Sequence, residues 1–307
     1  MKVTVIGGKG KVANYLLPLL VREGHEVAAV SRGKTAYYLD SPELREVKDV
    51  TLDRTDPEFA SKIASLKSDV IVDMICFRNQ DMLDLIGRVK GELSHYVACG
   101  SLWYHGPSLV VPVTEEEFRN PEGEYGLQKL AMSDSLRRLW KEEGFPGTIV
   151  HPGHIVAPFH DVINPQGNTN RRIFEDLRDG REVLLPNFGL ETLHHVHAKD
   201  VAGIIDAAIR VGKPAFGQDF HAASARAVTL RGYAEEVASW YGKEANLTFL
   251  PFREYAARVP ERDAAQTLEH ISRSPAASLQ KVNQVLGYYP VTTYEAIREN
   301  LESVGLL

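Results

Sequence analysis

Two rhythms of apolar residues alternate through the first half of the chain. Short strand-like runs occur at Val3-Thr4-Val5-Ile6 and over residues 25–32, 47–56, 69–75 and 95–99, and the run DVIVDMI is almost continuously apolar, as a parallel strand covered on both faces should be. Between them the apolar spacing widens to three and four. Val12, Leu16, Leu19 and Leu20 mark one helical face, and further helices are predicted over 57–66 and 79–91. Pro18 falls inside the first of these helices, where it removes one backbone hydrogen bond. Alternation of strand and helix with short connections predicts an α/β fold, a doubly wound parallel sheet with helices on both faces. TIVHPG, residues 148–153, is expected to complete a six-stranded main sheet.

The second half continues less regularly. Helices are predicted over 171–179, 198–212, 228–241 and 293–303, with strands at 194–197, at DFHAAS and at NLTFLPF. Strand 194–197 is expected to return to the first domain. Residues 1–157, with a return of about 190–222, are therefore expected to form a dinucleotide-binding domain. Residues 158–189 and 223–307 are expected to form a smaller substrate-binding cap over its open edge.

The first strand ends in Gly7-Gly8-Lys9-Gly10, directly before the first helix. In that position a glycine turn suits a dinucleotide: Gly7 gives the tight turn, and Gly10 lets a pyrophosphate approach the helix N-terminus. Ala13 would sit where helix meets strand. After the second strand comes Ser31-Arg32-Gly33-Lys34, two cations with no carboxylate. A 2′-phosphate matches that better than a bare ribose does, so NADP is favoured over NAD, the alternative being ordinary solvated charges. After the third strand, Asp53 and Arg54 could meet the adenine edge, or Asp53 could belong to a turn before the next helix.

Composition narrows the class further. The chain has 307 residues, 44% hydrophobic and 25% charged, with a formal net charge of −6, which argues against a general nucleic-acid binder. Cys76 and Cys99 lie in apolar runs and read as small buried hydrophobes. The chain opens on a core strand without a basic-then-apolar leader, and no apolar stretch approaches membrane-spanning length. A cytoplasmic protein with no membrane partner is expected.

Candidate chemistry lies after the fifth strand. Ser101 stands in Gly100-Ser101-Leu102-Trp103-Tyr104-His105-Gly106, at the strand end where such sheets place ligands. Tyr125 and Lys129 follow at the head of an amphipathic helix, four residues apart and so on one face. Hydride transfer at a carbinol carbon needs a proton moved at its oxygen. A phenol with pKa near 10 does this poorly at neutral pH unless a neighbouring ammonium lowers that pKa. Lys129 can also hydrogen-bond the nicotinamide ribose, and Ser101 can hold the reacting oxygen. Further along, the polar segment 164–170 reads either as a substrate-facing loop or as a surface loop closed by Asx turns. His194, His195 and His197 lack a matching carboxylate or cysteine cluster, so no metal site is expected. His105, His151 and His154 follow strand ends and are better candidates for lining a pocket.

Together GGKGKVA, CGSLWYHG, YGLQK, HPGHIVAP, HHVHAKDVA and LGYYP resemble the motifs of the extended short-chain dehydrogenase/reductases of the NAD-dependent epimerase/dehydratase type, nearly end to end. The resemblance implies Tyr125 as acid/base, Lys129 as its modulator and Ser101 as the oxygen-binding hydroxyl. Cofactor contacts are expected from Gly7, Gly10, Lys11, Val12, Ser31, Arg32, Asp53 and Arg54, and also from Met74, Tyr125, Lys129, Pro152 and His154. Substrate contacts are expected from Trp103, His105, His154, Asn168 and His195. The chain departs from the family at His151, where Arg is common, and at His154, where many sugar-nucleotide enzymes have Asn. Met74 and Ile75 replace small residues that often line the cofactor.

The resulting expectation is an NADP-dependent enzyme, with NAD as alternative, that moves hydride at a secondary alcohol or ketone carbon of a sugar-like or sugar-nucleotide-like substrate. Reduction, epimerisation and dehydration all remain open, and a homodimer is possible. The alternatives are a non-catalytic RNA-binding protein of the same fold, since plastid RNA-binding relatives share a similar glycine turn, and a dinucleotide-sensing regulator.

Overall fold

In the computed structural model, which describes residues 1–307, the strand-like runs become β1 (Lys2–Ile6), β2 (Glu26–Ser31), β3 (Lys48–Thr51), β4 (Val70–Asp73), β5 (His95–Cys99) and β6 (Gly147–Pro152). They form one sheet in the order β6-β5-β4-β1-β2-β3, every neighbouring pair parallel. The order reverses between β1 and β4, and at such a reversal the crossovers leave on opposite faces and open a crevice at the strand carboxyl ends. A seventh strand, Gln218–Ala222, pairs in parallel with β6, so the sheet has one strand more than expected. Its sequence looks too polar for a doubly covered strand, yet Asp219 and His221 are fully buried because other polar side chains enclose them.

Helices cover both faces. On one side α1 (Ala13–Arg22) and α6 (Ala198–Val211) bury Leu16, Leu20, Val201 and Ile205 against Val3, Val5 and Val27. On the other, α2 (Phe59–Ala64), α3 (Asn79–Val89) and α4 (Gly123–Glu143) bury Met82, Leu85, Met132 and Leu136 against Ile6 and Ile71. Each such side chain contributes about 1.5–3 kcal/mol relative to exposure. The first helix runs unbroken through Pro18. A separate cluster of Val156, Phe174, Leu185, Tyr233 and Ile297 gathers α5 (Arg172–Asp179), α7 (Leu230–Trp240) and the C-terminal helix Thr293–Ser303. That last helix starts on a reciprocal cap between Thr292 and Glu295.

The short strand His195–His197 pairs in parallel with His154–Val156, outside the large sheet. It leads straight into α6, which packs on α1. No helix is long and apolar enough to cross a membrane.

The glycine turn is shaped by contact as much as by dihedral angle. Gly7 has φ +90°, and both its N–H and that of Gly8 bond to the Val30 carbonyl. A Cβ on Gly8 would lie 2.5 Å from the Ala29 Cβ, so this second glycine lets the turn rest on β2. Gly8→Ala is expected to destabilise the fold by about 1–3 kcal/mol, read as a lower urea midpoint at unchanged slope.

Candidate active site

The helix α4 carries Tyr125 and Lys129 to the carboxyl ends of β4 and β5. Lys129 is buried, and its Nζ donates to the carbonyls of Cys76 and Cys99, each at 2.7 Å. Burial lowers its pKa. Tyr125 remains 39% exposed, wide enough open for a ligand to reach its phenol. Its ring stands edge-on to Trp103 at 5.7 Å and tilted to Phe77 at 6.4 Å, with the Lys129 ammonium 5.6 Å from its centroid.

The expected depression of the Tyr125 pKa is not found. Burial pushes the phenol up to about 12, the Cys99 thiol adds to the rise, and the Ser101 hydroxyl only partly opposes it. Lys129 has its charge directed at two main-chain carbonyls, so desolvation decides.

Ser101 begins the short turn Leu102–Tyr104, and its Oγ accepts from the Trp103 N–H at 3.2 Å. The hydroxyl proton is thus left to donate. His151 presses on the same turn from below, so closely that a Cβ on Gly100 would lie 2.2 Å from its Nδ1.

These groups open onto a cavity of about 640 Å³ whose lining includes Lys11, Met74, Ser101, Trp103, Tyr125, Lys129, Pro152 and His154. An adjoining cavity of about 840 Å³ is lined by Gly7, Gly10, Ser31, Arg32, Lys34, Asp53 and Arg54, and Phe77 borders both. Most of the expected cofactor residues are thereby brought to one crevice. The Val12 side chain is the exception, packed into the core beside α1. A Cβ on Gly10 would meet only the Gly7 carbonyl, at 3.2 Å, so the turn presents bare backbone to the larger cavity, as a pyrophosphate requires.

At the far end Arg32 and Lys34 are exposed. Asp53 accepts from the N–H and hydroxyl of Thr55, which hold its carboxyl below the ordinary value, and the two cations add to that effect. Arg54 bonds both oxygens of buried Asp73, at 2.7 and 2.8 Å. Lys9 is turned aside onto Asp49 at 2.7 Å.

Three expected substrate contacts are corrected. His105 is buried, with its Nε2 2.8 Å from the His221 Nε2 and its pKa lowered to about 3 by burial. His195 is buried and bonds the Ile163 carbonyl at 2.9 Å. Asn168 is buried in a network with Asn164, Tyr255 and Thr267, and Asn164 closes an Asx turn onto Gln166. The loop is internally satisfied, and its neighbour Thr169 faces the cavity instead. His194 and His197 bond the Ser224 carbonyl and Glu299.

Sequence reasoning missed Phe77, Asp161, Ile163 and Pro275 as lining residues. Phe77 is 55% exposed beyond β4, and nothing in apolar spacing marks a large ring left outside a core. Pro275 arrives from a segment for which no element was predicted.

The sequence profile of the NAD-dependent epimerase/dehydratase family matches residues 3–221. The chain is 28% identical over 280 residues to the 2′-dehydrokanamycin reductase of Streptomyces kanamyceticus, covering 89% of this chain and 75% of that one. It is 26% identical over 305 residues to the chloroplast stem-loop binding protein of 41 kDa b of Arabidopsis thaliana, covering 94% and 75%. In fold it is similar to the UDP-glucose 4-epimerase of Thermotoga maritima, with a TM-score of 0.72, 17% identity and 99% of each chain covered. The protein belongs to the NAD-dependent epimerase/dehydratase family, as an extended short-chain dehydrogenase-type enzyme that uses a nicotinamide dinucleotide.

Proposed function

We propose that the protein is an NADPH-dependent reductase of a ketone on a polar, sugar-like substrate. The carrying observation is the convergence of Ser101, Tyr125 and Lys129 on a cavity that adjoins, at Phe77, a second one floored by the glycine turn. Bound there, the nicotinamide supplies the hydride. The rest is the work of the chain. Ser101 donates a hydrogen bond from its hydroxyl to the ketone oxygen and holds it beside the phenol. Tyr125 gives its proton to that oxygen as negative charge develops. Lys129 has spent two of its three donors on the Cys76 and Cys99 carbonyls, which leaves the third for a ribose hydroxyl.

One similar protein is named a reductase, which favours reduction over the redox-neutral chemistries. Arg32 and Lys34, exposed at the end of the dinucleotide cavity, support NADPH through its 2′-phosphate. We read residues 158–189 and 223–307 as the substrate cap, and the two free, buried cysteines accord with a cytoplasmic setting. The similarity to a stem-loop binding protein favours RNA binding as a second reading, and the net charge of −6 weighs against it.

NADPH is expected to bind more tightly than NADH. Arg32→Ala should weaken NADPH by about tenfold, the worth of one charge-assisted phosphate contact, while sparing NADH; equal affinities in the parent overturn the NADPH assignment. Tyr125→Phe should lower turnover by about 10²–10⁴-fold with cofactor affinity retained, assayed by NADPH absorbance on a panel of oxo-sugars. The pH dependence follows from the raised phenol. The proton donor is present below its pKa, so reduction should stay level from neutral pH upward and fall only as pH nears the raised value, whereas the reverse oxidation should rise with pH.

A further inference from the structure

Asp219 is fully buried in the edge strand Gln218–Ala222, outside both cavities. Its Oδ2 accepts from the Ser133 hydroxyl at 2.6 Å and forms ion pairs with Arg137 Nη2 at 2.9 Å and Arg119 Nη1 at 3.5 Å. Ser133 and Arg137 belong to α4, the helix that carries Tyr125 and Lys129. A single carboxylate therefore anchors that helix from behind. Ser133 lies about 12 Å along the axis from Tyr125, at 1.5 Å per residue, so the anchor is remote from the reacting atoms yet rigidly joined to them.

The same Oδ2 faces His151 of β6, 3.7 Å from Nε2. That is too long for a hydrogen bond. It is near enough for the negative charge to favour the tautomer with its proton on Nε2, which leaves Nδ1 free to accept. Nδ1 lies 3.2 Å from the Ser101 N and 3.2 Å from the Ser101 carbonyl oxygen. With the proton on Nε2, Nδ1 receives the Ser101 N–H. The ring cannot slide, because Tyr104 of the same turn stacks on it at 3.6 Å and 5° and Gly100 closes on its other edge.

We propose that Asp219 and His151 are positioning residues: the buried carboxylate fixes α4 through Ser133 and Arg137 and fixes the Ser101 turn through the imidazole that it orients, so that hydroxyl and phenol meet at one point. This rests on the reading of Ser101, Tyr125 and Lys129 as the reacting set. Burial without a chemical consequence would need only that the groups be satisfied. The arrangement does more, because the two halves of that set come from different elements and reach the same oxygen.

The test compares the parent with Asp219→Asn, His151→Leu and His151→Asn, the last placing an amide oxygen near the Nδ1 position. Turnover, NADPH affinity and amide hydrogen exchange over residues 100–104 are measured on each. Asp219→Asn and His151→Leu should lose about 100-fold in kcat, the scale of a 1 Å misplacement, with the NADPH dissociation constant held within about twofold. Exchange over 100–104 should quicken more than elsewhere in the molecule. His151→Asn should recover kcat to within about tenfold of the parent and restore protection.

Parent-like turnover in His151→Leu, in an enzyme that Tyr125→Phe inactivates, overturns the positioning roles and leaves the reacting set standing. If Tyr125→Phe is itself active, the reacting set is wrong, and the exchange measurement still decides whether Asp219 and His151 order the turn. Should Asp219→Asn not fold, the two His151 variants decide alone.

Discussion

An ammonium group removed from water holds helix α4 to the sheet. Lys129 gives up its hydration to donate to the carbonyls of Cys76 and Cys99, at the ends of the two central strands beside the sheet's reversal of order. An unpaired buried charge costs several kcal/mol, so the lysine tolerates no other placement of α4 than one in which both carbonyls are within reach. A side-chain contact repeats the constraint one residue earlier, where Gln128 accepts the Asn79 N–H at 2.7 Å and ties the first turn of α3 to α4. Tyr125, one turn before, is thereby held over the crevice.

From that constraint follows a division of labour between the two cavities. The larger one is shaped by backbone: a glycine turn seated on β2, with little side chain between it and a ligand. The smaller one is shaped by rings, with Trp103 placed between Tyr125 and His270 and held from above by the Arg273 guanidinium at 3.9 Å. Burial raises the pKa of the Tyr125 phenol, while the Lys129 ammonium is directed at the Cys76 and Cys99 carbonyls.

Beneath the site lies a buried polar layer. Asp219, His151, His221, His105 and Glu115 are buried together, joined by short contacts such as the His221 N–H to Glu115 Oε1 at 2.9 Å. Burial lowers the pKa of the imidazoles and so favours their neutral forms. The layer gives directional contacts where apolar packing would give only volume, and a turn that must hold one hydroxyl in one place benefits from direction.

Apolar rhythm alone was enough to place the strands and helices of the first half along the chain, because strands such as β1 and β4 are built mainly of buried Val and Ile. The glycine turn, the serine turn and the Tyr125–Lys129 pair were equally legible, since each is local: a backbone angle, a strand end, one turn of helix. The seventh strand was read without its place in the sheet, and His105, His195 and Asn168 were misread as ligand contacts. In those cases the deciding partner lies far off in the sequence, as His221 does for His105 and Thr267 for Asn168. A polar side chain carries no mark of whether it will face water, substrate or another buried polar group. Only the folded chain, by bringing that partner within hydrogen-bond distance or leaving the space open, settles which of the three it is.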